Sequence, residues 1–210
     1  MKALIIKDIY QLQKTVKIIL ALMIFYAILF LLTGATDALP LTLVILGITL
    51  PISTFTFDEA NKWDRYALSG PLPRKAIVRS KYLLNLLMMA AALLISLFCL
   101  FVLHFFVYVR PWLEILIMLG MEIIIGLLGI SVILPLIYKL GAERGRLLLI
   151  AALMIPVLTV IIFSKFAPPP LQQFVIYYLA YFPIVLSCLA VVGYYISYRI
   201  SLKIYLKKDF

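Results

Sequence analysis

Acidic side chains, histidine, cysteine and glycine–lysine pairs are all scarce or missing in this 210-residue chain. Nine Asp and Glu stand against nineteen Lys and Arg, with one histidine and two cysteines. No Gly-Lys pair occurs, which excludes a P-loop and with it a nucleotide site of that kind. There is no HExxH, no CxxC and no nucleophile elbow, and a Ser-His-Asp triad would have to be built on His104 alone. The apolar runs hold no paired carboxylates of the sort an intramembrane metal enzyme needs. Cys99 and Cys188 both fall inside apolar runs, where thiols serve as small packing residues rather than as disulfide or metal partners. These absences argue against enzymatic chemistry, and against any cofactor or metal, in this chain.

Apolar sequence is what the chain has in abundance. Two-thirds of it (66%) is hydrophobic, 13% is charged, and the mean hydropathy is +1.16. Lipid offers backbone N–H and C=O groups no partners, so a spanning segment is a helix or part of a closed barrel. Barrel strands alternate apolar and polar residues, and these runs do not. The expected fold class is therefore all-α: a polytopic membrane protein forming one transmembrane domain over 1–210. Six spans are predicted, at about 18–35, 40–57, 82–109, 114–138, 147–164 and 171–198. Pro40 is read as opening the second span and Pro51 as kinking it, while Pro168-Pro169-Pro170 makes a stiff turn before the sixth.

The net charge of +10 would suggest nucleic acid in a soluble protein. Here its distribution gives a simpler account. Seventeen of the nineteen Lys and Arg fall in the N-terminal segment, the 58–81 loop, the 139–146 loop and the C-terminal tail. Only Arg110 and Lys165 lie on the other side. Basic residues collect on the cytoplasmic side, so both termini and the long loop are expected in the cytoplasm of a bacterial plasma membrane, with the lipid bilayer and no nucleic acid as partner. The N-terminal segment has no small-residue cleavage site, which speaks against a removed signal peptide. Within it, Ile5, Ile9, Leu12 and Val16 share one helical face and Lys7, Gln11 and Lys14 the opposite one. That pattern predicts an interfacial helix whose lysines meet anionic lipid, against the plainer reading of a cytoplasmic extension of the first span.

Between the second and third spans lies the one long charged stretch, Thr56 to Lys81, with six basic and three acidic residues. Thr56 followed by Glu59 has the form of a capping box for a new helix. Asp58 and Glu59 would then occupy its first turn, with Asp58 positioned i,i+4 from Lys62. Ser69-Gly70-Pro71 would close that helix through a left-handed glycine, and Pro73 would start the next. Away from the span ends, Glu122 is the single acid, and an ionisable group at depth faces a bundle interior, a cavity or a partner. Glu122 and His104 are the two side chains a pathway or gate would use, against the plainer readings of a structural bond and an interfacial anchor. Gly126 and Gly129 suit close helix packing, and the tyrosines of the last span suit an interfacial belt.

DEANKWDRYALSGPLPRKAIVRSKYL, set between the second and third of six spans, resembles the membrane subunits of bacterial ABC exporters of the type-two permease class. Leu72-Pro73-Arg74-Lys75 and Ser80-Lys81-Tyr82-Leu83 carry the resemblance, with the family's spacer between Pro and Arg shortened. The nearest group is the permease of phenol-soluble-modulin and antimicrobial-peptide exporters. The resemblance implies a half-permease of an ATP-driven exporter of amphipathic peptides. Its partners would be a cytoplasmic ABC ATPase in two copies, which binds the ATP and Mg, and a second permease copy, forming a homodimer. It also implies a coupling helix over Asp58 to Leu68. Trp63 and Tyr66 would be its buried anchors in the ATPase, and Asp58, Glu59, Lys62, Asp64 and Arg65 its charged contacts. Rival readings are a non-transporting immunity or scaffold protein and a stand-alone secondary transporter. The latter calls for paired midplane polar sites and internal repeats, neither of which is legible here.

Overall fold

The computed structural model describes residues 2–33, 38–70, 72–107, 111–145 and 182–208, together with 147, 151 and 168. These residues form six labelled helices: α1 (Lys2–Thr33), α2 (Ala38–Ala60), α3 (Trp63–Ser69), α4 (Arg74–Val107), α5 (Trp112–Leu140) and α6 (Phe182–Lys207). No strand occurs among the described residues, in line with the all-α expectation. Among the described residues four helices are long and apolar enough to cross a membrane, within Thr42–Ala60, Arg74–Val102, Trp112–Leu140 and Val185–Lys207. A fifth is added if α1 is one span, its parts Lys2–Gln13 and Thr15–Phe30 meeting at 60°. The predicted fifth span (147–164) apart from 147 and 151, the first part of the sixth, the turn at 34–37, Arg110, Arg146 and Lys165 lie outside the described residues.

α2 is the central element, packing against α1, α4 and α5, while α6 runs along α5 and touches α4. Two apolar cores result. One gathers Val44, Ile48, Ile52 and Phe55 of α2 with Ile130, Leu134 and Ile137 of α5 and Tyr205 of α6. The other joins Leu12, Ile19 and Met23 of α1 to Leu43, Leu84 and Ala92. In lipid, helices gain little by hiding apolar surface from one another, so close approach by small residues carries the packing. Gly47 lies directly against the Ala92 methyl, and a Cβ at Gly126 would fall 2.8 Å from the Met89 sulfur. Gly126 thus packs as expected; at Gly129 the nearest atom, on Ile48, is 3.8 Å from a Cβ, an ordinary contact. Large apolar side chains such as Leu94, Phe98, Leu116 and Val191 point outward, as lipid-facing residues do.

Several local expectations are corrected. α2 does not stop near Phe57 but continues to Ala60, so Thr56 is an exposed residue inside it and no capping box forms. Asp58 and Glu59 therefore end α2 instead of opening a new helix. The chain breaks at Asn61-Lys62, where Lys62 takes left-handed φ 51°, ψ 35°. The new helix is one short element beginning at Trp63, and its C-cap Gly70 is extended (φ −97°, ψ −179°), not left-handed. α4 starts at Arg74 just after Pro73, so residues 74–81 belong to the third span's helix and the loop shrinks accordingly. The basic tail is helical too, since α6 runs through Arg199 and Lys203 to Lys207.

Two tyrosines of the last span, Tyr194 and Tyr198, behave differently from an interfacial belt by packing on Tyr82. The Tyr82 hydroxyl bonds with Ser197 and Ser201 of α6, both at 2.7 Å, and the Tyr194 hydroxyl donates to the Tyr82 carbonyl at 2.9 Å. Tyr194 and Tyr198 stand edge-on to the Tyr82 ring. They pin α6 to α4 because a buried phenol needs a partner, and serines one turn apart supply it. Tyr195 is exposed, as a belt residue would be; Tyr177, Tyr178 and Tyr181 lie outside the described residues.

Candidate functional site

The end of the bundle where α1 and α4 begin and α2 and α6 finish carries a closed set of ion pairs. Lys7 reaches Asp58 at 2.7 Å and Asp8 at 3.0 Å. Lys81 reaches the other Asp58 oxygen at 2.6 Å, Asp8 at 3.0 Å and the Thr54 hydroxyl at 3.0 Å. Two cations and two anions from three helices thus neutralise one another. Asp8, Asp58 and Lys81 are nearly fully buried, so each needs the others: an unpaired charge in such a place costs several kcal/mol. The Lys7 ammonium also sits 4.2 Å above the Trp63 ring, and the Lys81 ammonium 5.0 Å from that of Phe55. Through Lys7 the cluster clasps the first residue of α3.

α3 has an inner and an outer face. On the inner face Ala67 is buried, and Trp63 and Leu68 pack against the larger apolar core. Asp64 accepts a hydrogen bond from the Tyr205 hydroxyl at 2.8 Å, tying α3 to the last turn of α6. Arg74 in turn donates to the Leu206 and Lys208 carbonyls at 2.7 and 3.3 Å, meeting acceptors that the end of α6 leaves open. Beneath α3, Asp58, Asp64, Tyr138 and Tyr205 line a cavity of about 20 Å³, room for a single water molecule. On the outer face Lys62, Arg65 and Tyr66 are exposed, Tyr66 by 72%.

The predicted coupling residues therefore divide. Asp58 is not an outward contact and pairs with Lys7 and Lys81 instead of Lys62. Glu59 accepts from the Ala142 N–H at 2.9 Å, capping the helical turn 142–145. Gly141 makes this possible at φ +89°, where a Cβ would stand only 3.3 Å from the Glu59 carboxylate. Trp63 is half-buried and packs against the chain's own larger core. Lys62, Arg65 and Tyr66 remain as the outward groups.

Sequence reasoning missed Asp8 and gave Lys7, Gln11 and Lys81 no site role. Lys7 and Gln11 turn inward to Asp58, the latter at 3.4 Å, and do not form an outer lipid-facing row; the Lys14 side chain lies outside the described residues. The predicted apolar face splits as well, Leu12 fully buried and Ile9 exposed. One signal was available: Leu4, Asp8 and Leu12 recur at i, i+4, i+8, so a lone acid shares the face of two leucines.

Glu122 and His104 are not part of this end. Glu122 is buried between α5 and α4 and accepts from the Ser96 hydroxyl at 3.0 Å. Its other oxygen has no hydrogen-bond partner among the described residues. His104 lies two turns beyond Ser96 on α4, its ring centroid 4.2 Å from that of Trp112. No group of metal-binding side chains occurs among the described residues.

A family model described as ABC-2 family transporter protein matches residues 3–206, nearly the whole chain. The chain belongs to the ABC-2 transporter family. It is thus the transmembrane component of an ABC transporter, a multi-pass membrane protein whose family implies association with an ABC ATPase subunit. No curated protein and no solved structure matched the permease.

Proposed function

We propose that the permease is one half of an exporter in the bacterial inner membrane, driven by a separate cytoplasmic ATPase through α3. It has six spans with both termini and α3 in the cytoplasm, and pairs with a second copy of itself as a homodimer over two ATPase copies. ATP and Mg act on the ATPase, and the permease contributes no catalytic group. The cargo, on the resemblance to phenol-soluble-modulin exporters, is an amphipathic peptide or a similar hydrophobic compound.

The observation that carries this reading is the two-faced build of α3. Its outer face offers Tyr66 and Arg65, the residue types that dominate interface energetics, flanked by Lys62. Its inner face is fastened to α1 through Trp63 and Lys7 and to α6 through Asp64 and Tyr205. A displacement of α3 by a closing ATPase dimer would be passed to both helices as a rigid-body movement. Glu122 and His104, remote from α3, are assigned to the span interior, where Glu122 would meet cargo or hold α4 to α5.

Co-expression with the ATPase subunit and purification in detergent tests the reading. Wild-type permease is expected to retain the ATPase, and Tyr66→Ala with Arg65→Ala to lose it while staying folded. A permease that never retains an ATPase and moves solute on a proton gradient alone would overturn the proposal. Orientation is checked with Lys62→Cys, which a membrane-impermeant maleimide should label in inside-out but not right-side-out vesicles.

A further inference from the structure

We propose that the groove between the start of α4 and the last turns of α6 is a binding site for an anionic phospholipid. The groove has a volume of about 570 Å³ and is lined by Lys75 of α4 and by Ile196, Arg199, Ile200, Lys203 and Leu206 of α6. Three of these are cations and none of the lining residues is acidic. Arg199 and Lys203 stand one helical turn apart, and Lys75 faces them from the neighbouring helix. This places two ammonium groups and one planar guanidinium fork around a single groove, a set of donors suited to a phosphodiester.

The floor decides between anionic ligands. Ile196, Ile200 and Leu206 are each between 44% and 49% exposed, so apolar surface runs between the cations. A free phosphate gains nothing from it, whereas an acyl chain gains with each CH₂ it buries there. The floor also leads somewhere. At 100° per residue, Val185, Leu189, Val192, Ile196, Ile200 and Lys203 share one face of α6, and the five apolar members are all exposed. This stripe runs from the membrane-spanning part of α6 into the groove, so a lipid lying along it brings its phosphate among Arg199, Lys203 and Lys75. The basic side chains can rest their stems on the isoleucines and keep their charges at headgroup level. A second copy of the chain is a poorer occupant, because a twofold contact would set this same cationic patch against itself. None of the groove residues belongs to α3 or to its proposed ATPase contact.

The test is native mass spectrometry of the full-length permease titrated with dioleoylphosphatidylglycerol or dioleoylphosphatidylcholine. Wild type is expected to retain the glycerol lipid in preference to the choline lipid. Arg199→Gln with Lys203→Gln should lower retention of the anionic lipid by about tenfold or more, and Lys75→Gln by severalfold. Ile200→Trp, which fills the floor and leaves every charge in place, should also lower it. Arg144→Gln, an exposed charge outside the groove, should leave it unchanged. The proposal is overturned by equal retention of both lipids, by equal loss in the Arg144 variant, or by full retention in the Ile200 variant. Displacement by millimolar inorganic phosphate would likewise overturn it, marking a free-anion site, and so would an acidic protein occupying the groove in place of lipid.

Discussion

The two buried acids Asp58 and Glu122 sit in the same fold under opposite conditions. Both are almost inaccessible and both lie on long helices against α4. Asp58 has two lysines at 2.6 and 2.7 Å, and those lysines also satisfy Asp8. Glu122 has one serine hydroxyl at 3.0 Å and an oxygen with no hydrogen bond among the described residues. The first arrangement closes electrically and fixes α1, α2 and α4 at the base of α3. The second is locally open and fixes only one contact between α4 and α5. Burial alone therefore does not tell an architectural acid from one left available; the number and sign of its partners do.

The largest effect should come from opening the closed cluster. Lys81→Met leaves Asp8 and Asp58 with a single shared cation, and breaking such a buried set typically costs about 3–5 kcal/mol. Heat denaturation followed by size-exclusion chromatography should show a large loss of monodisperse permease. Combining Lys81→Met with Asp8→Leu restores neutrality and should recover much of that loss, with clear non-additivity. If the two changes simply add, the four charges do not act as one unit.

A smaller effect is expected at the link between α3 and α6. Tyr205→Phe removes the donor to Asp64 and should destabilise by about 1.5–3 kcal/mol, the usual range for a hydrogen bond to a charged group. If α3 transmits force, coupling of ATP hydrolysis to transport should fall further than stability does. Glu122→Gln keeps an acceptor for Ser96 at nearly the same size, so its effect on stability should stay within about 1 kcal/mol. A loss as large as that of Lys81→Met would erase the contrast between the two acids. Export unaffected by Glu122→Gln would take this residue out of the pathway. Least disturbing to the fold is Tyr66→Ala, where a surface change should stay within about ±0.5 kcal/mol while retention of the ATPase is lost.

The long helices were legible because an apolar run must satisfy its own backbone in lipid, whatever it packs against. The region around Thr56 was not, because its boundaries answer to distant residues. A capping box at Thr56 and Glu59 is a local alternative, and it lost to the partners that Asp58 finds in Lys7 and Lys81 and that Glu59 finds at Ala142. α3 itself was visible as a short charged helix, but which of its residues face outward was not. Trp63 reads as an interface anchor until Lys7 is seen above it.

Composition and spacing by themselves determined that this chain is helical and membrane-embedded, that it lacks a P-loop, and that its basic residues collect in four segments flanking the apolar runs. Tertiary structure alone decided which charges neutralise one another and which stay outside. The reason is that an ion pair depends on separation in space, and Lys7, Asp8, Asp58 and Lys81 come within 3.0 Å contacts only where three helices converge. The same convergence leaves Arg199, Lys203 and Lys75 facing an open groove, a second arrangement of charge that no linear pattern displays.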